Sequence, residues 1–271
     1  SRQGGEVELA AEIDRLLLHR AKLDVDSLGC VIRVGFRPLS SALAVVLPRL
    51  VSASLAGVDD VLFLPVLFPE LFVLRHGETE WNRARRWQGV LDSPLTEKGR
   101  AQAVAMGEML RSEGVTATSH QILSSPQGRA METARLAVGQ FGPAIVPEPL
   151  LREISVGEWA GLTADEIDTR WPGPEDETFL ERYARAPGGE PFDQLWERVG
   201  AVLSRLDRPT VIVTHGITSR FLRTRAMGLT LADLAELPCG QGVIFHLKDG
   251  EHRILGRIGL RPDPREAKRL P

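Results

Sequence analysis

The chain has 271 residues, 43% of them hydrophobic and 25% charged, which is the composition of an ordinary folded protein with one large or two small domains. Its net charge of −3 gives no electrostatic basis for a nucleic-acid partner. The two cysteines, Cys30 and Cys239, have no metal-ligand spacing, argue against a disulfide framework and fit a reducing compartment; both are expected to be buried in apolar surroundings. The most apolar stretch, Ala42–Val58, is interrupted by Pro48 and Arg49 and cannot span a membrane. A secretory signal would start basic and turn apolar, whereas this chain starts with Glu6, Glu8, Glu12 and Asp14. The expectation is a cytoplasmic protein with neither membrane nor nucleic acid among its partners.

Along the first 69 residues, Leu9, Ile13, Leu16 and Leu17 fall on one face at helical spacing. Apolar pieces follow at Cys30–Val34, Ala42–Leu47 and Val61–Phe68. So short a segment makes a marginal core by itself. The chain starts with Ser1 and has no Met before Met106. This suggests that the natural product starts near Phe68, with the preceding residues an upstream extension; the alternative is a genuine appendage whose first part is missing.

From residue 70 the pattern changes. Leu71–Arg75 reads as a buried strand. Thr96 is placed to cap a helix running to about Ser112, with Ala101, Val104 and Ala105 expected on its inner side. Gln121–Ser124 is a second short strand, followed by a helix from about Pro126. Phe192, Leu195, Trp196, Val199, Val202, Leu203 and Leu206 form the clearest helical stripe. It leads to Thr210–Thr214, a β-branched run expected to be a central strand, and then to a helix starting at His215-Gly216. Val243–Leu247, a turn at Lys248–Gly250 and Arg253–Gly256 read as a terminal hairpin. The tail Arg261–Pro271 is charged and expected to be loose. Alternating strands and helices predict an α/β layer fold, with a main domain over 70–258 and a tail over 259–271.

The chemistry gathers at strand ends. In open α/β sheets ligands bind beyond the carboxyl ends of the strands. The first strand ends at Arg75-His76-Gly77, and Thr210–Thr214 ends at His215-Gly216. If those strands are neighbours, both histidines lie at one edge. An arginine fork matches phosphate oxygens, and a neutral imidazole beside it can attack phosphorus. The Gly216 amide at a helix start and the Asn82 side chain can add hydrogen bonds. Arg129 falls in the first turn of a helix, where its charge opposes the helix dipole, so an anion is expected to bridge the two. Arg85, Arg86 and Arg152 either extend a positive rim or are simply solvated.

The string Arg75–Asn82, followed by Arg86–Gly89, Asp92–Thr96 and Gly99, resembles the opening pattern of the histidine phosphatase superfamily, also called phosphoglycerate mutase-like. Ser124–Ala134 resembles its S-P-x-x-R-A-x-x-T-A segment, and Leu151–Gly161 its L-x-E-x-x-x-G-x-W-x-G loop. The likeness runs from about Glu70 to about Leu255. It implies a three-layer α/β/α sandwich with a mostly parallel central sheet. It also implies a site with His76 as nucleophile, Arg75, Arg129, His215, Asn82 and Gly216 on the phosphoryl group, and Glu153 as the proton donor. Glu158 is read as an exposed loop charge, Trp159 as packing the loop, and Gln88 and Gly89 as bordering the pocket. No cofactor or metal is called for. The compact segment before His215 favours the phosphatase branch, hydrolysing a small phosphorylated metabolite through a phosphohistidine. A cofactor-dependent mutase is the runner-up, and a catalytically silent phosphate-binding or interaction domain a distant third. Neither the substrate nor the oligomeric state is legible.

Overall fold

In the computed structural model the described residues are 68–116, 118–139 and 144–256. The helical pattern Leu9–Leu17, the other apolar pieces before Phe68, Cys30 and the tail after Gly256 lie outside them.

Six strands form one sheet. They are β1 (Leu71–Arg75), β2 (Gln121–Ser124), β3 (Ile145–Pro147), β4 (Thr210–Thr214), β5 (Ile244–Lys248) and β6 (Glu251–Leu255). The order is β3-β2-β4-β1-β5-β6. The first four run parallel, and β5 and β6 are antiparallel to their neighbours. Both faces of β1 are covered, which is why it reads as a continuous apolar run. Leu71 and Val73 point into a cluster with Leu195, Val199, Phe221 and Leu222. Phe72 and Leu74 point the other way, toward Met106, Leu110, Ala134 and Val138. The result is a three-layer α/β/α sandwich. The β5–β6 turn is Asp249-Gly250, both with positive φ (51° and 81°), the conformation of a tight two-residue hairpin.

The helices are α1 (Glu80–Arg83), α2 (Glu97–Ser112), α3 (Gly128–Val138), α4 (Ala164–Arg170), α5 (Phe179–Ala184), α6 (Phe192–Leu203) and α7 (Gly216–Ala226). Thr96 caps α2 by accepting the Gly99 N–H. The inner face of α2 differs from the sequence expectation. Ala101, Val104 and Ala105 are exposed, and Gly99, Ala103, Met106, Gly107 and Leu110 are buried. Close backbone approach decides this. A Cβ on Gly107 would sit 2.3 Å from the Ala137 carbonyl oxygen of α3, and one on Gly99 would sit 2.0 Å from that of Glu78. The glycines let α2 press against α3 and the loop after β1 where larger side chains could not. The segment between the acid loop and α6 carries α4 and α5, each opened by a Thr-x-x-Glu capping box at Thr163–Glu166 and Thr178–Glu181.

Candidate active site

The parallel register sets Arg75 beside Thr214, and Ser124 beside Val213. The next residue of each strand therefore emerges at one edge: His76, His215 and Ser125. The His76 amide donates to the Thr214 carbonyl at 2.9 Å, and the Ser125 amide to that of Val213 at 2.9 Å. The two imidazoles lie with ring centroids 5.2 Å apart. His76 Nδ1 is 2.8 Å from the Gly77 carbonyl oxygen. A carbonyl can only accept, so the proton is on Nδ1 and Nε2 keeps its lone pair. Burial, together with Arg129 and Arg75, holds His76 well below its ordinary pKa, so the ring is neutral near pH 7. Gly77 is required by packing as well: a Cβ there would fall 2.2 Å from the Gly99 carbonyl oxygen.

His215 is fully buried and immediately precedes α7. Its Nε2 is 2.7 Å from Ser125 Oγ, and its Nδ1 has no protein partner. Burial, Arg129, His76, Arg75 and Arg198 push its pKa well down too. Arg75 donates from one guanidinium nitrogen to Cys239 Sγ at 3.6 Å, and its Nε is buried without an acceptor. The environment of Cys239 is thus cationic rather than apolar, contrary to the sequence expectation. Burial raises this thiol, but Arg75, Arg220 and Arg223 outweigh it and hold the pKa below its usual value.

Arg129 is 1% exposed and held on three sides. It donates to the carbonyls of Gly89 (2.9 Å) and Leu91 (2.6 Å) and to Asp92 Oδ1 (3.0 Å). The same Asp92 oxygen accepts the Arg129 backbone N–H at 3.3 Å. The anion expected to bridge the helix start and the guanidinium is supplied by the chain itself. Arg129 Nε remains buried and unpartnered. The unused buried donors of Arg75 and Arg129, with the free Nδ1 of His215, are groups that an anion could satisfy.

Glu153 caps α7. Its Oε1 accepts the Thr218 N–H at 3.0 Å, and its Oε2 accepts the Ile217 N–H at 3.2 Å. The loop bearing it is fixed from behind. Thr214 and Thr218 hydroxyls donate to the carbonyls of Leu151 and Arg152, and buried Glu190 takes the Arg198 fork at 2.6 and 2.9 Å. From the front, Gln127 Oε1 accepts the Glu153 N–H at 2.7 Å, and its Nε2 donates to the Gly89 and Val90 carbonyls at 3.0 and 3.2 Å. One side-chain amide thereby joins the acid loop to the loop that holds Arg129.

The remaining residues singled out from sequence divide. Asn82 Oδ1 is taken up by the Thr79 N–H in a capping box and by Gln241 Nε2 at 2.9 Å, which leaves its amide N–H groups for a ligand. Gln88 is buried and donates to Thr79 Oγ1. Its Oε1 is buried without a partner, and Gly89 (φ 52°) gives its carbonyl to Arg129 and lies against Val156. Ile217 and Thr218 supply the helix-end amides that hold Glu153. Glu158 is exposed and Trp159 fully buried. Arg86 is paired with Glu166 and Arg152 with Glu190, so neither is a free rim charge. Sequence reasoning missed the roles of Asp92, Ser125, Gln127 and Cys239. Asp92, Ser125 and Gln127 stand inside the matched motifs, Gln127 at one of the unspecified positions; nothing local marks Cys239.

Residues 71–255 match the family model described as histidine phosphatase superfamily (branch 1). A probable phosphoglycerate mutase GpmB of Yersinia pestis (strain Pestoides F) is 35% identical over 171 residues, covering 59% of this chain and 75% of the relative. Among solved structures, a mycobacterial glucosyl-3-phosphoglycerate phosphatase in complexes with VO3 is similar at 31% identity, with 70% of this chain and 98% of that one covered and a TM-score of 0.57. A putative alpha-ribazole-5'-P phosphatase from Escherichia coli is 25% identical over 72% of this chain and 100% of that one, with a TM-score of 0.57. With two histidines and two arginines converging at the sheet edge that this family's model spans, the chain belongs to the histidine phosphatase superfamily, branch 1.

Proposed function

We propose that the protein hydrolyses a phosphomonoester of a small metabolite through a phosphohistidine. The observation that carries this reading is the fixed tautomer of His76, with Nε2 free beside two arginines and His215. Arg75, Arg129 and His215 bind the phosphoryl oxygens and stabilise charge during transfer. An anion selects the His215 tautomer with Nδ1–H in the pocket, and the Ser125 hydroxyl then donates to Nε2. His76 Nε2 attacks phosphorus in line; the bond from phosphorus to the ester oxygen breaks, and Glu153 gives that oxygen a proton. To do so the Glu153 carboxyl releases one of its helix-end contacts. In the second half, Glu153 takes a proton from water, the resulting oxygen attacks phosphorus, and His76 leaves. General acid–base help of this kind is worth about 10²–10⁴ in rate. The compact segment before His215 favours water over a second phosphoryl acceptor. Mutase-type transfer is the second reading, motivated by the 35% identical relative named a probable phosphoglycerate mutase.

The test is turnover of p-nitrophenyl phosphate and alkyl phosphates without a bisphosphoglycerate primer. His76→Ala is expected to abolish the acid-labile phosphoenzyme, and labelling that persists in the variant refutes the nucleophile. Glu153→Gln is expected to slow alkyl phosphates far more than p-nitrophenyl phosphate, whose leaving group needs little protonation. Equal losses on both contradict the acid role, and activity that requires the primer supports the mutase.

A further inference from the structure

One cation beside the site is unused by this mechanism. Arg220, on α7, forms no ion pair among the described residues. Its guanidinium makes one long bond to the Leu234 carbonyl at 3.4 Å and stands 5.8 Å from the centre of the Phe179 ring. Its Nε is buried with no acceptor. A structural arginine on the same helix looks different: Arg225 donates to the Trp196 carbonyl at 2.7 Å and reaches Glu197 at 3.5 Å.

The helix fixes where the Arg220 charge goes. Residues four apart share a helix face, and side chains lean toward the helix N-terminus. Four residues before Arg220 is Gly216, and a Cβ on Gly216 would lie 3.3 Å from Arg75 Cζ. Arg220 thus stands on the helix face that meets the phosphate-binding arginine, one turn or about 5.4 Å further along the axis. The first turn between them carries the Ile217 and Thr218 amides that hold Glu153. Glu153 marks the side from which the alcohol departs, so the leaving group extends along this face.

We propose that Arg220, flanked by the Phe179 ring, is a second anion subsite that reads the leaving alcohol. The preferred substrate is then a phosphomonoester whose alcohol carries a carboxylate or a second phosphate about one helical turn from the reacting phosphorus. This rests on the hydrolase reading of the site. A neutral sugar or alkyl phosphate leaves the buried Arg220 N–H unsatisfied; an anionic group fills it.

Three esters of one chain length separate the possibilities: n-propyl phosphate, the phosphate ester of 3-hydroxypropanoate, and 1,3-propanediol bisphosphate. The wild-type enzyme is expected to prefer one of the two anionic esters over propyl phosphate by about 10- to 100-fold in kcat/KM, the effect of one charge-assisted contact. Which one it prefers tells carboxylate from phosphate. Arg220→Gln is expected to collapse that ratio toward one, mainly through KM, and Arg220→Lys to keep part of it. A ratio that Arg220→Gln leaves at the wild-type value, or losses equal on all three esters, overturns the subsite. Should none of the three nor p-nitrophenyl phosphate be turned over, the hydrolase reading fails instead. The same ratio is then read from Kd by calorimetry, where a wild-type ratio in Arg220→Gln overturns the subsite on its own.

Discussion

Gln127→Leu separates the geometry of the acid from its presence. The Gln127 amide makes three short bonds, to the Glu153 N–H at 2.7 Å and to the Gly89 and Val90 carbonyls at 3.0 and 3.2 Å. Leucine keeps the approximate volume and removes all three. A net 0.5–1.5 kcal/mol per bond gives an upper figure of about 4.5 kcal/mol. Val90 is 47% exposed and its carbonyl can turn to water, so the expected loss is about 1–3 kcal/mol. For a domain of this size that lowers Tm by about 2–12 °C. The kinetic effect has a signature of its own. The Glu153 backbone loses its front anchor and the Gly89 carbonyl, which also holds Arg129, loses its second donor. A misplaced acid should slow alkyl phosphates by about 10- to 100-fold, a fraction of the full value of general acid catalysis, and p-nitrophenyl phosphate by only a few-fold. Gln127→Glu should not rescue, because it keeps an acceptor for Glu153 but sets oxygens against two carbonyls. The assay is kcat against leaving-group pKa for wild type and both variants, beside thermal unfolding. A loss independent of leaving group, or one confined to KM, refutes the argument that Gln127 positions the acid.

Further outcomes follow from the same geometry. Ser125→Ala leaves both ring nitrogens of buried His215 without a protein partner; it should cost about 1–3 kcal/mol of stability and weaken vanadate inhibition, and unchanged inhibition would exclude an orienting role. Buried His76 and His215 have folded pKa values depressed below the unfolded 6.5, so the unfolded chain binds more protons as pH drops. Stability is then full above about pH 6.5 and falls below it by about 1.4 kcal/mol per pH unit for each histidine. Denaturant unfolding between pH 7.5 and 5 should show a shallower slope in His76→Ala, and an identical slope would contradict the burial argument. Gly107→Ala puts a methyl 2.3 Å from the Ala137 carbonyl oxygen; overpacking there should cost about 1–3 kcal/mol, measured as a fall in the denaturant midpoint, and a neutral result would show that α2 shifts freely on α3.

The readings that succeeded from sequence rest on local signals. The apolar run Leu71–Leu74, the β-branched run Thr210–Thr214, the Thr96 cap and the Asp249-Gly250 turn each encode their structure within a few residues. The inner face of α2 misled because Ala101, Val104 and Ala105 form a helical stripe of their own; what buries the opposite stripe is backbone contact through Gly99 and Gly107 with chain remote in sequence. The capping boxes at Thr163 and Thr178 are likewise local patterns, each set by a Thr and the Glu three residues on.

The sequence alone determined the α/β alternation, the placement of His76 and His215 at strand ends, and the family. These are properties of short segments and of motif spacing. Tertiary structure alone decided which groups complete the site. Asp92 answers the Arg129 charge across 37 residues, Ser125 meets His215 across 90, and Cys239 meets Arg75 across 164. Such pairings depend on strand order and register, which bring β1, β4 and β2 side by side. No periodicity within a segment records that order, so the partners that hold the reacting groups in place become visible only once the sheet is assembled.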